Sequence, residues 1–152
     1  MRGYFGIGIY HTKTEVNVGT LWRSAHNFGA AFIFTIARRY KRQASDTTKA
    51  WKTIPLHHYE SFADFRDHIP FDCQLIAIEQ SNKSESILKY SHPERAIYLL
   101  GAEDSGIPAF IQEKCQGVVH IDTPMCLNVA TAGAIIMYDR KTKEVREQEA
   151  TR

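Results

Sequence analysis

Three features of the chain predict an α/β domain built on a mainly parallel sheet. Short apolar runs of strand length alternate with segments of helical periodicity from end to end. At 152 residues the chain is one domain able to bury its own core, and its 43% hydrophobic and 24% charged residues are ordinary for a globular protein. The third feature is the stretch from Ile97 to Tyr138, which twice runs an apolar strand through a polar loop into a helix, as AIYLLGAEDSGIP and as GVVHIDTPMCLNVATAGAIIMYD. Open α/β sheets hold ligands at such strand ends, so function is expected here.

Gly3 to Tyr10 reads as a short buried strand. Its Gly6 and Gly8 make G-x-G, but no third glycine follows and the pair lies inside the apolar run, so the glycines are read as letting a neighbouring backbone approach and not as binding a dinucleotide. Asn17 suits an N-cap and Gly29 a C′ position, and Val18, Leu21, Trp22, Ala25 and Phe28 share one face of the helix between them. Arg23 points away from that face. A strand from Ala31 to Ala37 leads into RRYKRQASDTTKAWK, where Arg38, Arg39, Lys41 and Arg42 precede Lys49 and Lys52, with Tyr40 and Trp51 interleaved. Such a segment can meet phosphates and bases.

Ser61 is placed to cap the helix FADFRDHI, and CQLIAIE, Cys73 to Glu79, is the next buried strand. His57 and His58 fall in a loop on this reading, and a short polar helix is expected over Ser84 to Tyr90. The strand Ala96 to Leu100 comes next. Pro108 suits the first turn of a helix reaching about Cys115. Val118 to Ile121 is the last strand. The final helix starts near Leu127 or Asn128, and its Ala130, Ala132, Gly133 and Ala134 allow close approach of another element. Residues 1–140 form the single domain, and the charged tail 141–152 extends the helix and then frays.

A net charge of +2 does not by itself imply nucleic acid; the local basic segment is more informative, and it reads equally as an RNA contact or as a solvated loop. Cys73, Cys115 and Cys126 are widely spaced and form no C-x-x-C, which favours a reducing, cytoplasmic setting. His11, Lys13 and Glu15 stand where a signal peptide needs an apolar block, and no run is long enough to span a membrane. The seven histidines include no pair at metal-ligand spacing, so no metal is expected. There is no G-x-S-x-G elbow and no phosphate-binding P-loop. Cys126, just before a helix, is a conceivable nucleophile without an assignable histidine.

Three segments together resemble the SpoU/TrmH family of the SPOUT superfamily, RNA 2′-O-ribose methyltransferases that use S-adenosylmethionine. They are NVGTLWRSAHNFG (Asn17 to Gly29), LLGAEDSGIP (Leu99 to Pro108) and PMCLNVATA (Pro124 to Ala132), in the family's order and covering essentially the whole domain. The length matches its minimal TrmL-like members. The resemblance implies a deep C-terminal trefoil knot, which general topology rules would have argued against. It implies catalytic roles for Asn17, Arg23, Glu103 and Asn128, and a cofactor held around Ile78, Gly101, Ile121, Cys126 and Leu127. It also implies a homodimer acting on tRNA, with the wobble ribose favoured and rRNA as an alternative, and RNA contacts from Arg38, Arg39, Lys41 and Arg42. Cys126 replaces the family's usual serine, and the stretch from Ile121 to Pro124 is short. Those departures support a second reading, a module that binds cofactor or RNA without turnover.

The residue types suit the reaction. Methyl transfer from a sulfonium to a hydroxyl needs alignment and stabilisation of developing negative charge, and no metal. A guanidinium is essentially never deprotonated in proteins, so Arg23 is expected to clamp phosphate or stabilise alkoxide charge and not to act as a base.

Overall fold

The structure, a computed structural model, describes residues 3–39 and 53–152. Seven strands form one sheet in the order β3-β2-β1-β6-β4-β7-β5, and every pairing is parallel. The strands are β1 (Tyr4–Tyr10), β2 (Phe32–Ile36), β3 (Leu56–Tyr59), β4 (Gln74–Ile78), β5 (Glu85–Ser86), β6 (Arg95–Gly101) and β7 (Gly117–His120). The helices are α1 (Glu15–Asn27), α2 (Phe62–Asp67), α3 (Ala109–Gln112) and α4 (Val129–Ala150). Central parallel strands are covered on both faces and so read as continuous apolar runs. Alternate side chains divide between two core layers. Ile7, Ile9, Ile76, Tyr98 and Leu100 pack with α1 and α4, while Phe34, Ile36, Leu75, Ile97 and Leu99 pack with Phe62, Phe65 and Ile111 of α2 and α3.

Glycine permits the closest contacts. A Cβ on Gly6 would lie 2.5 Å from the Phe32 ring, and one on Gly8 2.4 Å from the Phe34 ring. The backbone approach expected from G-x-G is thus corrected: the space is filled chiefly by aromatic side chains of β2, with the Phe34 carbonyl oxygen the one backbone atom, beside Gly8. On α4, a Cβ at Gly133 would lie 2.5 Å from Leu21 of α1 and 3.1 Å from Leu100 of β6. The small residues of α4 seat it directly on both.

A buried polar chain fixes the far half of α4. Arg140 donates to the carbonyls of Pro93 (2.6 Å) and Glu94 (2.8 Å) and to the Tyr98 hydroxyl (3.1 Å). That hydroxyl meets His92 Nδ1 at 2.7 Å, and His92 Nε2 lies 2.7 Å from Asp139, which Lys143 also pairs at 2.8 Å. The pattern fits a neutral imidazole carrying its proton on Nε2. Burial lowers the His92 pKa against the opposing pull of Asp139 and pushes the Tyr98 phenol up to about 12.

Several local expectations are corrected. Asn17 is not the cap of α1: Thr14 holds that position, Glu15 supplies the acid of the first turn, and Asn17 is buried inside the helix. Gly29, at φ 83°, follows the C-cap Phe28 as a C′ glycine should. The helix expected over Ser84 to Tyr90 is instead β5 and a turn, because Glu85 and Ser86 pair with Val119 and His120. His57 and His58 lie on β3, a strand too short and polar to show a period. Pro108 caps α3, which is a single turn. Residues 141–150 continue α4. Lys41 and Arg42 lie outside the described residues. Among those residues no helix is long and apolar enough to cross a membrane.

Candidate active site

Strands β6, β4 and β7 are neighbours, and their C-terminal ends feed Glu79, the loop 102–107 and the loop 121–128. Between them lies a cavity of about 620 Å³, within the range that holds small-molecule ligands. Ile78, Gly101, Glu103, Ile121, Cys126 and Leu127 all line it, as do Glu79, Asp104 and His120.

The first loop folds tightly on itself. Gly106 takes φ 63° and donates its N–H to the Ala102 carbonyl at 2.9 Å. A Cβ at Gly101 would come within 2.6 Å of the Gly106 carbonyl carbon, so a side chain there would move the backbone, while one at Gly106 would meet the Glu79 carboxylate at 2.4 Å and sit at an unfavourable φ. Glu79 pins the fold from outside: one carboxylate oxygen accepts the Ile107 N–H at 2.8 Å and the other accepts the Gln80 N–H at 3.0 Å. Lys13 pairs with Asp104 across to the β1–α1 connection, and that hydrogen bond holds the Asp104 carboxyl below the usual carboxylate range.

Three residues from distant parts of the chain join beside the cavity. Asn17 donates its amide to Glu103, and its carbonyl oxygen accepts from the Asn128 amide at 3.0 Å. Asn128 then caps α4 by accepting the Thr131 N–H at 3.2 Å. A buried amide needs partners at both ends, and Asn17 has them. Arg23 is exposed and does not line the cavity. Six positions beyond Asn17, it stands about 9 Å further along the helix and about 120° around it.

The second loop is tied to β5. Ser84 Oγ lies 2.8 Å from His120 Nδ1, His120 Nε2 lies 3.2 Å from Asp122, and Ser86 donates to Asp122 at 2.5 Å. The Ser86 bond is the main cause of the lowered Asp122 pKa. This string has the residues of a nucleophilic triad but not its wiring, because Ser84 also donates to the Ser81 carbonyl at 2.6 Å. The places of His120 and Glu79 on the cavity wall were missed from sequence, as was the bridge from Lys13 to Asp104. Nothing in local spacing marks them; adjacency of β4, β6 and β7 does.

Of the basic residues assigned to RNA, Arg38 donates to the Lys13 carbonyl at 2.7 Å. Arg39 pairs with Glu60 at 3.1 Å on the open surface, each about 70% exposed.

The family model described as the SpoU rRNA Methylase family matches residues 5–138. The chain belongs to that family. This SpoU methylase carries Cys126, exposed on the cavity wall, where the family pattern has serine. It is 25% identical over 132 residues to the mouse tRNA (guanosine(18)-2′-O)-methyltransferase TARBP1; the match takes in 81% of this chain and 8% of the mouse protein. The AdoMet complex of the SpoU methyltransferase AviRb from Streptomyces viridochromogenes matches with a TM-score of 0.84 at 18% identity, over 96% of this chain and 62% of that one. The A. aeolicus TrmH/SpoU tRNA modifying enzyme gives 0.83 at 17%, over 97% and 79%. A structure described for 2-OH methylation of C/U34 on tRNA gives 0.80 at 21%, over 94% and 97%. These likenesses give this chain the SpoU fold, a parallel sheet flanked by helices, and with it they imply the C-terminal knot.

Proposed function

We propose that the protein is an S-adenosylmethionine-dependent RNA methyltransferase that methylates a ribose 2′-OH in tRNA, with the wobble nucleotide as the preferred position. One observation carries the reading. The Glu103–Asn17–Asn128 chain joins three motif residues, and Glu103 carries it to the wall of a ligand-sized cavity that Leu127 and Val129, the neighbours of Asn128, also line. The cavity suits the cofactor: its lining comes largely from loop residues, and its carboxylates make it acidic, with no lysine or arginine among the described residues of the wall. When bound, S-adenosylmethionine supplies the activated methyl group.

The chain's own residues do the rest. Asn17 fixes Glu103 and Asn128 relative to each other, so that the loop after β6 and the start of α4 hold one geometry. Arg23, as a free fork of donors on α1, binds a phosphate next to the target ribose and offsets charge developing on its oxygen. Since Arg23 is not on the cavity wall of its own chain, RNA or a second protomer must bring it to the reacting ribose. A homodimer is part of the proposal, and exposed Ile135, Tyr138 and Val145 on α4 give it an apolar stripe. The setting is cytoplasmic, where tRNA is found. Support for the wobble site is the length match to the C/U34-methylation structure, which covers 97% of that chain.

The reading is tested by labelled methyl transfer into total tRNA with nucleoside mapping. Incorporation as a 2′-O-methyl nucleotide at the wobble position is expected. Mapping to guanosine 18 would move the site, and no incorporation beside intact cofactor binding would favour the binding-module reading raised by Cys126 and the short loop. Arg23→Ala should lower single-turnover transfer on the order of a hundredfold with cofactor affinity kept, and Arg23→Lys should recover little of it.

A further inference from the structure

Glu79 has no part in the motifs, yet it sits between the two loops of the cavity. Its backbone N–H bonds the Val119 carbonyl at 2.9 Å, and its carboxylate accepts only backbone N–H groups, from Ile107 and Gln80. No described lysine, arginine or histidine forms an ion pair with it. Asp104, by contrast, is paired with Lys13. Glu103 also has no counter-cation, but it accepts from the Asn17 side-chain amide and not from the backbone of the cavity loops. His120, the wall group that can become cationic, faces Asp122. Gly106 lets the carboxylate pack this closely on the loop, since a Cβ there would lie 2.4 Å from Glu79 Oε2.

We infer that Glu79 is a specificity-determining residue of the cofactor pocket, whose unpaired carboxylate favours the charged sulfonium donor over the neutral thioether product. The inference rests on the methyltransferase reading above. Methyl transfer removes one positive charge from the ligand, so an acidic wall without a protein counter-cation loses attraction at that moment. Glu79 is half-buried, and a charge there acts through less water than one on the open surface. Product release is thereby eased without any change of shape.

The test is calorimetry of the full chain with S-adenosylmethionine and with S-adenosylhomocysteine, comparing wild type with Glu79→Gln. Glutamine keeps a carbonyl oxygen for the Ile107 N–H and removes the charge. The ratio of the two affinities within one protein cancels any general loosening of the fold. The expected result is a shift of that ratio by roughly tenfold against S-adenosylmethionine, with S-adenosylhomocysteine affinity changed little. Equal losses for both ligands, or no change in either, would overturn the assignment. If wild type bound neither ligand, the methyltransferase reading itself would fail, an outcome distinct from an unchanged ratio.

Discussion

At the residue scale, Asn17 shows how one buried amide can tie the fold to a residue of the candidate site, Glu103. It lies on the buried side of α1 with Val18 and Leu21, where a polar group without partners would cost about 1–3 kcal/mol. Glu103 and Asn128 supply the partners, and in doing so they are themselves positioned. Asn17→Asp keeps the shape but sets a second carboxylate against Glu103. We expect it to lower stability by about 1–3 kcal/mol and to reduce methyl transfer more than cofactor binding. Urea melts beside single-turnover assays measure both, and wild-type transfer in this variant would remove the chain from the active site. His92 is the other buried residue whose chemistry can be read directly. Its folded pKa lies below the ordinary value of about 6.5 because burial outweighs Asp139. The unfolded chain therefore takes up the proton first. Stability from this group is whole above about pH 6.5 and falls as the pH drops below it. Melts at pH 7.5 and 5.5 should show a smaller acid loss in His92→Gln than in wild type, and equal losses would contradict the assignment.

At the element scale, α4 depends on a glycine that no local rule favours, since glycine is a poor helix former. Gly133 lets the helix sit against Leu21, Leu100 and Ile7, all at most 2% exposed. Gly133→Ala improves helix propensity by roughly 1 kcal/mol, yet it forces a methyl into a space already occupied. Overpacking of that kind costs about 1–3 kcal/mol, so a net loss of stability is expected. A raised melting temperature would show that α4 has slack. The consequence reaches the site, because Asn128 is the N-cap of α4 and Ala132 in its first turn lines the cavity.

For the whole molecule, the question is how RNA is held. Arg38 and Arg39 have partners within the protein, Arg38 through a backbone carbonyl and Arg39 through an exposed ion pair. Exposed pairs are worth little and exchange readily for phosphate. Replacing Arg38, Arg39, Lys41 and Arg42 with alanine should weaken tRNA binding and flatten its salt dependence. The log–log slope should fall by roughly 0.7–0.9 for each phosphate that is no longer neutralised. Cofactor affinity should stay unchanged, and an unaltered slope in a filter-binding titration would assign these residues to the solvated surface.

The sequence by itself determined the sheet class, the central strands and the three motif segments. Each of these is written in local signals: apolar runs in β1, β2, β4 and β6, the glycine after α1, the asparagine before α4. Short polar strands such as β3 and β5 were illegible, because their pairing partners, and not their own residues, make them strands. Tertiary structure alone decided that Asn17 is buried inside α1 and joins Glu103 to Asn128, and that Arg23 stays outside the cavity. It likewise placed Glu79 and His120 on the cavity wall, since strand order, which no local period encodes, makes β4 the neighbour of both β6 and β7.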